Sequence, residues 1–241
     1  MKNTTPYFSI IIPTKNEEKL IENCIISVLN QKTTKPYEVI LVDTQSKDNT
    51  INIVSKYPVK IITETQKGKS VAVKTGSQHA KGNILCFTEA DCIVTPHWLN
   101  AIEESLSSSP NTVGVTGLYS FFPNTSPYNT LATIFLSAGS FFFYVLYKNH
   151  AFRGTNFAIK KSIYNKIGGF NQNMHEMHDV ELGLRAGKLG KIHLNPRMKI
   201  KTSDRRVNNR LIKYFKELIP SIYHLLVLGK SVPKQLYQDI R

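Results

Sequence analysis

The sequence predicts an α/β fold in which a mostly parallel central sheet has helices on both faces. One observation is a set of short apolar runs at residues 8–13, 37–42 and 84–87, which have the length and composition of buried strands. Another is the pattern between these runs, where apolar residues recur every three or four positions, as on one face of a helix. Because strands that alternate with helices usually build parallel sheets, the two patterns predict this architecture over residues 7 to about 120.

The elements of this first half follow from the apolar runs and from residues that start helices. The predicted strands lie at residues 8–13, 36–43, 59–63, 84–87 and 113–118. We expect Asn16 to cap a first helix that extends to Leu29, with Glu17 and Glu18 in its first turn, where the helix dipole favours acids. The later helix starts are, in chain order, Asp48 or Asn49, residues 67–70, and Pro96 near the first helical position.

Beyond residue 120 the pattern changes. Residues 131–147 have no charged side chain and are rich in aromatic ones, so we expect a helix in the membrane interface or over the site, or else an ordinary buried helix. From Asn208 onward, apolar and basic residues alternate at helical spacing, which predicts a basic amphipathic helix. The remaining predictions are a strand at 153–159, a helix from Ser162 to Gly168-Gly169, a helix led by residues 174–182, and a last short strand at 192–194.

Two carboxylates, Glu89 and Asp91, stand one residue apart where the strand at 84–87 leaves the sheet. Ligands of open α/β sheets bind at the carboxyl ends of the strands, and side chains two residues apart point the same way if the backbone is extended. Such a pair of acids repels unless a cation lies between them, and Mg²⁺ or Mn²⁺ prefer oxygen ligands. The pattern therefore predicts a divalent-cation site, with a solvated acidic turn as the alternative.

Composition narrows the classes of partner. The 241 residues have a formal net charge of +14, which favours nucleic acid, nucleotide phosphates or an acidic membrane surface over a merely solubilising surface. The three cysteines have no metal-type spacing and are expected to be reduced residues in a cytosolic setting. The first residues lack the features of a signal peptide.

Seven segments together resemble the family 2 glycosyltransferases, which have the nucleotide-diphospho-sugar transferase (GT-A type) fold. The segments occur in the family's order over about residues 7 to 200: Ser9–Glu18, Val42–Thr50, Lys67-Gly68-Lys69 with Gly76, Glu89-Ala90-Asp91, Gly154-Thr155-Asn156, Gly168-Gly169-Phe170 and His178–Leu182. A dinucleotide-binding dehydrogenase would need Gly-x-Gly-x-x-Gly after its first strand, and that is absent. The resemblance implies a catalytic domain at 1–202, with a nucleotide-sugar half at about 7–120 and an acceptor half at about 121–202, and a basic amphipathic tail at 203–241.

The resemblance also implies roles for the donor-binding residues. Pro13, Thr14 and Glu17 lie where the family holds the nucleoside, and Asp43 matches the carboxylate that contacts the base or ribose. Lys69 lies where the family contacts nucleotide groups, and its place at a helix N-terminus suits a diphosphate.

The acceptor half and the metal site have implied residues of their own. Asp179 matches the presumed catalytic base, and Asn156 is expected to contact substrate. Asp91 matches the second acid of the family's Asp-x-Asp and is the implied ligand of Mn²⁺ or Mg²⁺, together with Glu89. The pair of Arg205 and Arg206 either clamps the diphosphate or a lipid phosphate, or forms a basic surface patch.

Two positions depart from the family pattern. Glu89 stands where the family usually has Asp, so its longer side chain is expected to act indirectly, on ribose or through water. His178 stands where the family usually has Glu, and a histidine there can support the neighbouring carboxylate or tune its pKa. We keep the role of base at Asp179.

These assignments predict an inverting, metal-dependent transfer of a sugar from a nucleotide-diphospho-sugar to an acceptor hydroxyl. The aromatic segment and the basic tail would dock the enzyme peripherally on the cytoplasmic face of an anionic membrane, near a lipid-linked acceptor, and no nucleic acid is expected as partner. Two alternatives stay open: a sugar-phosphate nucleotidyltransferase, and a non-enzymatic basic module that binds membrane or nucleic acid.

Overall fold

A computed structural model describes residues 5–123, 129, 133, 143–174 and 177–206. Most of the aromatic segment at 131–147 and all of the predicted amphipathic helix from Asn208 lie outside the described residues, as does the side chain of Arg206. Residues 143–147 are helical. Within the described part of the chain, no helix is both long enough and apolar enough to cross a membrane.

Eight strands and six labelled helices are described in this part of the chain. In chain order they are β1 (Phe8–Thr14), α1 (Ile21–Leu29), β2 (Tyr37–Asp43), α2 (Thr50–Val54), β3 (Lys60–Thr63), α3 (Lys69–His79), β4 (Ile84–Thr88), β5 (Cys92–Val94), α4 (Trp98–Ser107), β6 (Thr112–Phe122), β7 (Asn156–Lys160), α5 (Lys161–Lys166), α6 (His178–Gly187) and β8 (Lys191–Ser203). A 3₁₀ turn at Asp204–Arg206 follows β8.

The described strands form one mixed sheet in the order β3-β2-β1-β4-β7-β6-β8-β5. The first four of these strands are parallel to one another. Strand β7 is antiparallel to both of its neighbours, β6 and β8 run parallel, and β5 is antiparallel to β8. The predicted α/β class with a mostly parallel sheet is therefore confirmed, and the antiparallel strands lie in the second half of the sheet.

Helices cover both faces of the sheet, and its strand β1 is accordingly apolar on both sides. Ile10 and Ile12 pack into one cluster, to which α1 and α4 contribute, whereas Ile11 packs into the other, with side chains from α3 and α6. Successive residues of a strand face opposite sides, so a continuous apolar run such as residues 8–13 is what a strand buried on both faces needs.

Two strands differ from the sequence prediction. The last strand was expected at residues 192–194, but β8 has 13 residues and ends at Ser203, one residue past the predicted domain boundary. Its alternation of basic and apolar residues hides it, and Pro196 lies in a shift of register against β6. The three-residue β5 was not predicted at all, because a run this short has no detectable periodicity.

The predicted start of the first helix is wrong. Asn16 has a positive φ of 53° and lies in a loop, and α1 begins only at Ile21. Glu17 precedes the helix, and its backbone carbonyl accepts from the N–H of Ile21 at 2.9 Å. The prediction for α3 is confirmed, since that helix begins at Lys69 directly after Gly68, whose φ of 130° suits glycine.

Candidate active site

The carboxyl ends of the parallel strands β2, β1 and β4 meet at one edge of the sheet. Asp43 ends β2 directly opposite Thr14, the last residue of β1, and Glu89 follows the last residue of β4. Glu17, Asp43, Glu89 and Asp91 are all buried along this edge. The structure thus brings the predicted acids together, and their roles in binding stay predictions.

Asp43 closes a tight turn at the end of β2. Its carboxylate accepts from the backbone N–H of Ser46 at 3.0 Å and from the Ser46 hydroxyl at 2.5 Å. The facing loop is tied to this turn, because the N–H of Asn16 donates to Ser46 Oγ and the side-chain oxygen of Asn16 accepts from the N–H of Lys47, both at 2.8 Å. These bonds fix one wall of the edge before any ligand binds.

The segment from Glu89 to Asp91 is a turn, so the expected extended backbone is not found. The N–H of Cys92 donates to the Glu89 carbonyl at 3.1 Å and closes the turn. Each carboxylate contacts a different protein cation: Lys69 Nζ lies 2.6 Å from Glu89 Oε1, and Arg205 Nη2 lies 2.9 Å from Asp91 Oδ2. A positive charge lies next to each acid, as their mutual repulsion requires. Lys69 and Arg205 supply these charges, in place of one cation between the two acids.

Arg205 also binds Glu17 with both terminal nitrogens. Nη1 donates to Glu17 Oε2 at 2.8 Å and Nη2 donates to Glu17 Oε1 at 2.5 Å. Arg205 therefore joins the loop after β1 to the turn after β4. The predicted contact of this arginine with a diphosphate remains a prediction, since here it binds two carboxylates.

Asp179 faces the same region from the second half of the chain. It is the second residue of α6, and a Cβ built on Gly154 would lie 3.1 Å from Asp179 Oδ2 and 3.4 Å from Lys69 Nζ. The absence of a side chain at Gly154 therefore lets the carboxylate of Asp179 and the ammonium of Lys69 both approach this point of the backbone closely. Since Lys69 also binds Glu89, Asp179 and the turn after β4 lie on the same side of the molecule.

His178, the neighbour of Asp179, is buried and neutral at neutral pH. Burial is the main reason why the pKa of His178 falls from 6.5 to about 4; Asp179 and Glu89 oppose this shift, and Lys69 contributes to it. Within the described part of the chain its Nδ1 has no hydrogen-bond partner, and its ring lies 5.5 Å from that of Phe170. A neutral imidazole adds no charge beside Asp179, in contrast to the Glu that the family usually has there.

Asn156 has a structural role, and its predicted contact with substrate stays a prediction. Its side chain is fully buried, and its amide oxygen accepts from Trp98 Nε1 at 2.8 Å. Its amide nitrogen donates to the carbonyls of Leu118 at 2.8 Å and Met198 at 2.7 Å. Asn156 therefore holds β6, β7 and β8 together beneath the site.

Pro13, another predicted site residue, is buried within β1.

The described residues contain no cluster of three or more His, Cys, Asp or Glu side chains that could hold a metal ion by itself. The three cysteines are free and buried, and burial raises the pKa of each thiol, so they stay protonated. A metal at this edge would have to take most of its ligands from a bound substrate or from water.

Sequence reasoning assigned no role to Gly154 or Ser46. In the sequence, Gly154 was only one residue of a matched motif. Glycine has no functional side chain, so its role can be recognised only from the groups that lie next to it. Ser46 belonged to a matched segment, but its bond to Asp43 depends on the exact geometry of the turn. Both residues needed coordinates to be found.

The family model described as Glycosyl transferase family 2 matches residues 9–168, about two thirds of the chain. The chain belongs to glycosyltransferase family 2. The match includes Asp43, Glu89 and Asp91, while Asp179 and Arg205 lie beyond it. The sequence left two alternatives open beside the glycosyltransferase, and family membership supports the glycosyltransferase.

Two relatives illustrate how far this similarity extends. This family 2 glycosyltransferase is 25% identical over 201 residues to glycosyltransferase AglE of Haloferax volcanii, a match that covers 79% of the chain and 64% of the relative. It is 34% identical over 105 residues to the dolichol-phosphate mannosyltransferase of Pyrococcus furiosus, covering 42% of the chain and 30% of the relative. The chain thus spans less than two thirds of the length of either relative.

Solved structures show the same fold. The mannosyltransferase PcManGT of Pyrobaculum calidifontis, in complex with GDP-Man and Mn²⁺, matches 96% of this glycosyltransferase and 67% of its own chain, with a TM-score of 0.73 and 20% identity. TarS 1–349 of S. aureus, in complex with UDP-GlcNAc, matches 81% and 58% of the two chains, with a TM-score of 0.65 and 18% identity. The fold is therefore of the GT-A type.

Proposed function

We propose that this glycosyltransferase moves a sugar from a nucleotide-diphospho-sugar to an acceptor hydroxyl in one displacement, with inversion at the anomeric carbon. The observation that supports this most directly is that the predicted base Asp179 and Lys69 both lie close to Gly154, although they come from two halves of the chain. A general base must lie within hydrogen-bond reach of the hydroxyl whose proton it accepts. A hydroxyl bound beside Asp179 would therefore lie on the same side of the molecule as Lys69 and the turn after β4.

The donor would lie along the sheet edge between Asp43 and Asp91. The tied loops around Asp43 form a fixed wall for the nucleoside, and the positive groups Lys69 and Arg205 are the nearest partners for its diphosphate. Both solved structures named above hold nucleotide sugars, GDP-Man and UDP-GlcNAc, which supports this class of donor.

Asp91 is the residue that we propose as ligand of a divalent cation. It is a carboxylate at the ligand edge, and the guanidinium of Arg205 at 2.9 Å is direct evidence that a positive charge fits beside it. Mg²⁺ and Mn²⁺ commonly take one carboxylate and complete their shell with substrate phosphates and water, which suits this edge. Such an ion, when bound, neutralises charge that develops on the departing diphosphate. Glu89 is less suited than predicted, because its carboxylate already binds Lys69.

The acceptor and the location of the enzyme are also proposals. We propose a lipid-linked acceptor and a peripheral position on the cytoplasmic face of a membrane, as expected from the basic charge and the aromatic segment. Tyr144, Val145 and Leu146 of the helical residues 143–147 are exposed, which supports contact with an apolar surface. The Pyrococcus relative is named a dolichol-phosphate mannosyltransferase, which is consistent with an acceptor of this class.

A panel of UDP- and GDP-sugars tests the proposed function by thermal shift, with and without Mn²⁺. We expect at least one nucleotide sugar to raise Tm with Mn²⁺, and Asp91→Asn to abolish the part that depends on Mn²⁺, because an amide is a poorer ligand for a cation. Glu104→Gln, which removes an exposed carboxylate far from the edge, is the matched control. If no nucleotide sugar changes Tm in the wild type, the donor assignment is wrong.

A further inference from the structure

Arg205 contacts Asp91, the residue that the resemblance implies as a metal ligand. The guanidinium group and a metal ion would therefore compete for the same carboxylate. We propose that, in the ligand-free protein, Arg205 is the counter-ion of Asp91 and Glu17, and that the donor diphosphate draws Arg205 away so that Asp91 can bind a divalent cation. This inference rests on the proposed function, because it requires a nucleotide diphosphate. It goes beyond that function by assigning an order and a coupling to the two binding events.

The first support is the burial of the two acids. The exposed fractions of Glu17 and Asp91 are 3% and 5%, and Arg205 contacts both. A buried carboxylate without a positive neighbour is strongly disfavoured. The ligand-free edge therefore needs a cation at this point, and the chain supplies one itself.

The second support is the difference in anchoring between the acids and the arginine. The N–H of Glu17 donates to Thr50 Oγ1 at 2.8 Å, and Asp91 lies between β4 and β5, where its carbonyl accepts from the N–H of Ser203 at 3.2 Å. Arg205 lies in a single 3₁₀ turn, and its side chain is 37% exposed. The acids are thus held by the fold, while the arginine is the partner that faces solvent and can change its contacts.

The third support is the chemistry of the guanidinium group. Its planar fork binds phosphate in the same two-point manner in which it binds the Glu17 carboxylate here. A phosphate oxygen can therefore replace Asp91 as partner of Nη2 while Nη1 keeps its bond to Glu17. Once Arg205 has turned from Asp91 to the phosphate, its charge no longer competes with a metal ion at that carboxylate, and the affinity of Asp91 for Mn²⁺ or Mg²⁺ rises.

These steps predict positive coupling between nucleotide and metal. A metal ion that arrives first must share Asp91 with a like-charged guanidinium, so Mn²⁺ alone binds weakly. A nucleotide that arrives first removes that competitor, and by linkage Mn²⁺ must strengthen nucleotide binding by the same factor. We expect this factor to be roughly tenfold or more in the wild type.

Calorimetry with Mn²⁺ alone, with UDP or GDP alone, and with both tests the inference. In Arg205→Gln, Mn²⁺ alone should bind roughly tenfold more tightly than in the wild type, and the coupling to nucleotide should fall towards one. Arg205→Lys keeps the charge but loses the fork, so its Mn²⁺ affinity should stay close to that of the wild type. Arg197→Gln, which breaks an exposed ion pair between Arg197 on β8 and Glu104 on α4, should behave as the wild type throughout.

Folding of the variants is monitored by their Tm. We expect Arg205→Gln to lower Tm and Mn²⁺ to raise it more than in the wild type, because the ion replaces the lost counter-ion. Mn²⁺ affinity that is unchanged in Arg205→Gln would overturn the exchange, even if UDP or GDP binds. Absence of UDP and GDP binding in the wild type would instead contradict the proposed function, and the titration with Mn²⁺ alone would still decide whether Arg205 competes with the ion.

Discussion

Lys69 Nζ and Glu89 Oε1 are 2.6 Å apart, and the ammonium group that makes this contact also lies close to Gly154, as does the carboxylate of Asp179. Glu89 thus holds Lys69 in the half of the site that contains the proposed base, Asp179. The extra methylene that distinguishes Glu89 from the family's usual Asp gives the carboxylate the reach for this contact. The two departures from the family pattern are then related, since neutral His178 brings no carboxylate to Lys69 and Glu89 supplies one.

This relationship predicts that the substitution towards the family pattern is harmful. In Glu89→Asp the shorter side chain should lose Lys69, and kcat should fall by roughly 10- to 100-fold because Lys69 is no longer held beside Asp179. The Mn²⁺ affinity of the nucleotide complex should stay within about threefold of the wild type in both Glu89→Asp and Glu89→Gln. Steady-state kinetics and calorimetry check the two expectations, with Glu104→Gln as control. Strong loss of Mn²⁺ affinity in Glu89→Gln would show that Glu89 is a metal ligand after all.

The first half of the fold was predictable because its strands are apolar on both faces. The runs at 8–13, 37–42 and 84–87 have the length and composition of buried strands, and the carboxyl ends of the last two locate Asp43, Glu89 and Asp91 at one edge. Strand β8 escaped prediction because its exposed positions are basic and because Pro196 interrupts its pairing with β6.

The contacts within the site were not predictable. Arg205 meets Glu17 from 188 residues away along the chain, and no local pattern indicates such a pair. Asn156 is a second case. It is a polar residue in a matched motif, but its side chain forms its hydrogen bonds inside the protein, with Trp98, Leu118 and Met198. The sequence indicated which residue types collect at the edge, whereas their partners depend on side-chain geometry.

Asp179 and Gly154 give a second prediction, which separates chemistry from binding. Asp179→Asn should lower kcat by roughly 10²- to 10⁴-fold, because the amide cannot accept the proton of the acceptor hydroxyl. Gly154→Ala should also lower kcat, since its Cβ would lie 3.1 Å from Asp179 Oδ2 and would push that carboxylate out of position.

Nucleotide affinity, measured by calorimetry with Mn²⁺, should be unchanged in both variants. Gly154 is not in the left-handed region, so alanine brings no backbone strain that would confuse the result. Transfer at the wild-type rate by Asp179→Asn would mean that another group is the base.

Asn156 predicts a loss of stability without a direct role in the reaction. Asn156→Ala removes the partner of the buried Trp98 Nε1–H and the side-chain donors to the carbonyls of Leu118 and Met198, so we expect the free energy of unfolding to fall by about 3 kcal/mol. Urea denaturation measures the change. Asn100→Ala, which removes an exposed amide that donates to the Lys32 carbonyl, should cost less than about 1 kcal/mol. Equal effects of the two substitutions would contradict the structural role of Asn156.

His178 predicts how stability depends on pH. In the unfolded chain a histidine takes up its proton near pH 6.5, whereas in the folded protein burial lowers the pKa of His178 to about 4. Between these values the unfolded state binds more protons, so the free energy of unfolding falls as pH is lowered from 6.5 to 4, by on the order of 3 kcal/mol from this residue. The contribution is absent above pH 6.5, where both states are neutral.

His178→Leu should remove this dependence, because leucine has no proton to bind. Urea denaturation at pH 7.0 and 5.0 gives the measurement: the wild type should lose more stability than the variant on acidification, whatever the variant's stability at pH 7.0. His193→Gln, at an exposed histidine, should retain the slope of the wild type. Parallel curves for the wild type and His178→Leu would show that His178 is protonated in the folded protein at pH 5.0, which its burial beside Lys69 opposes.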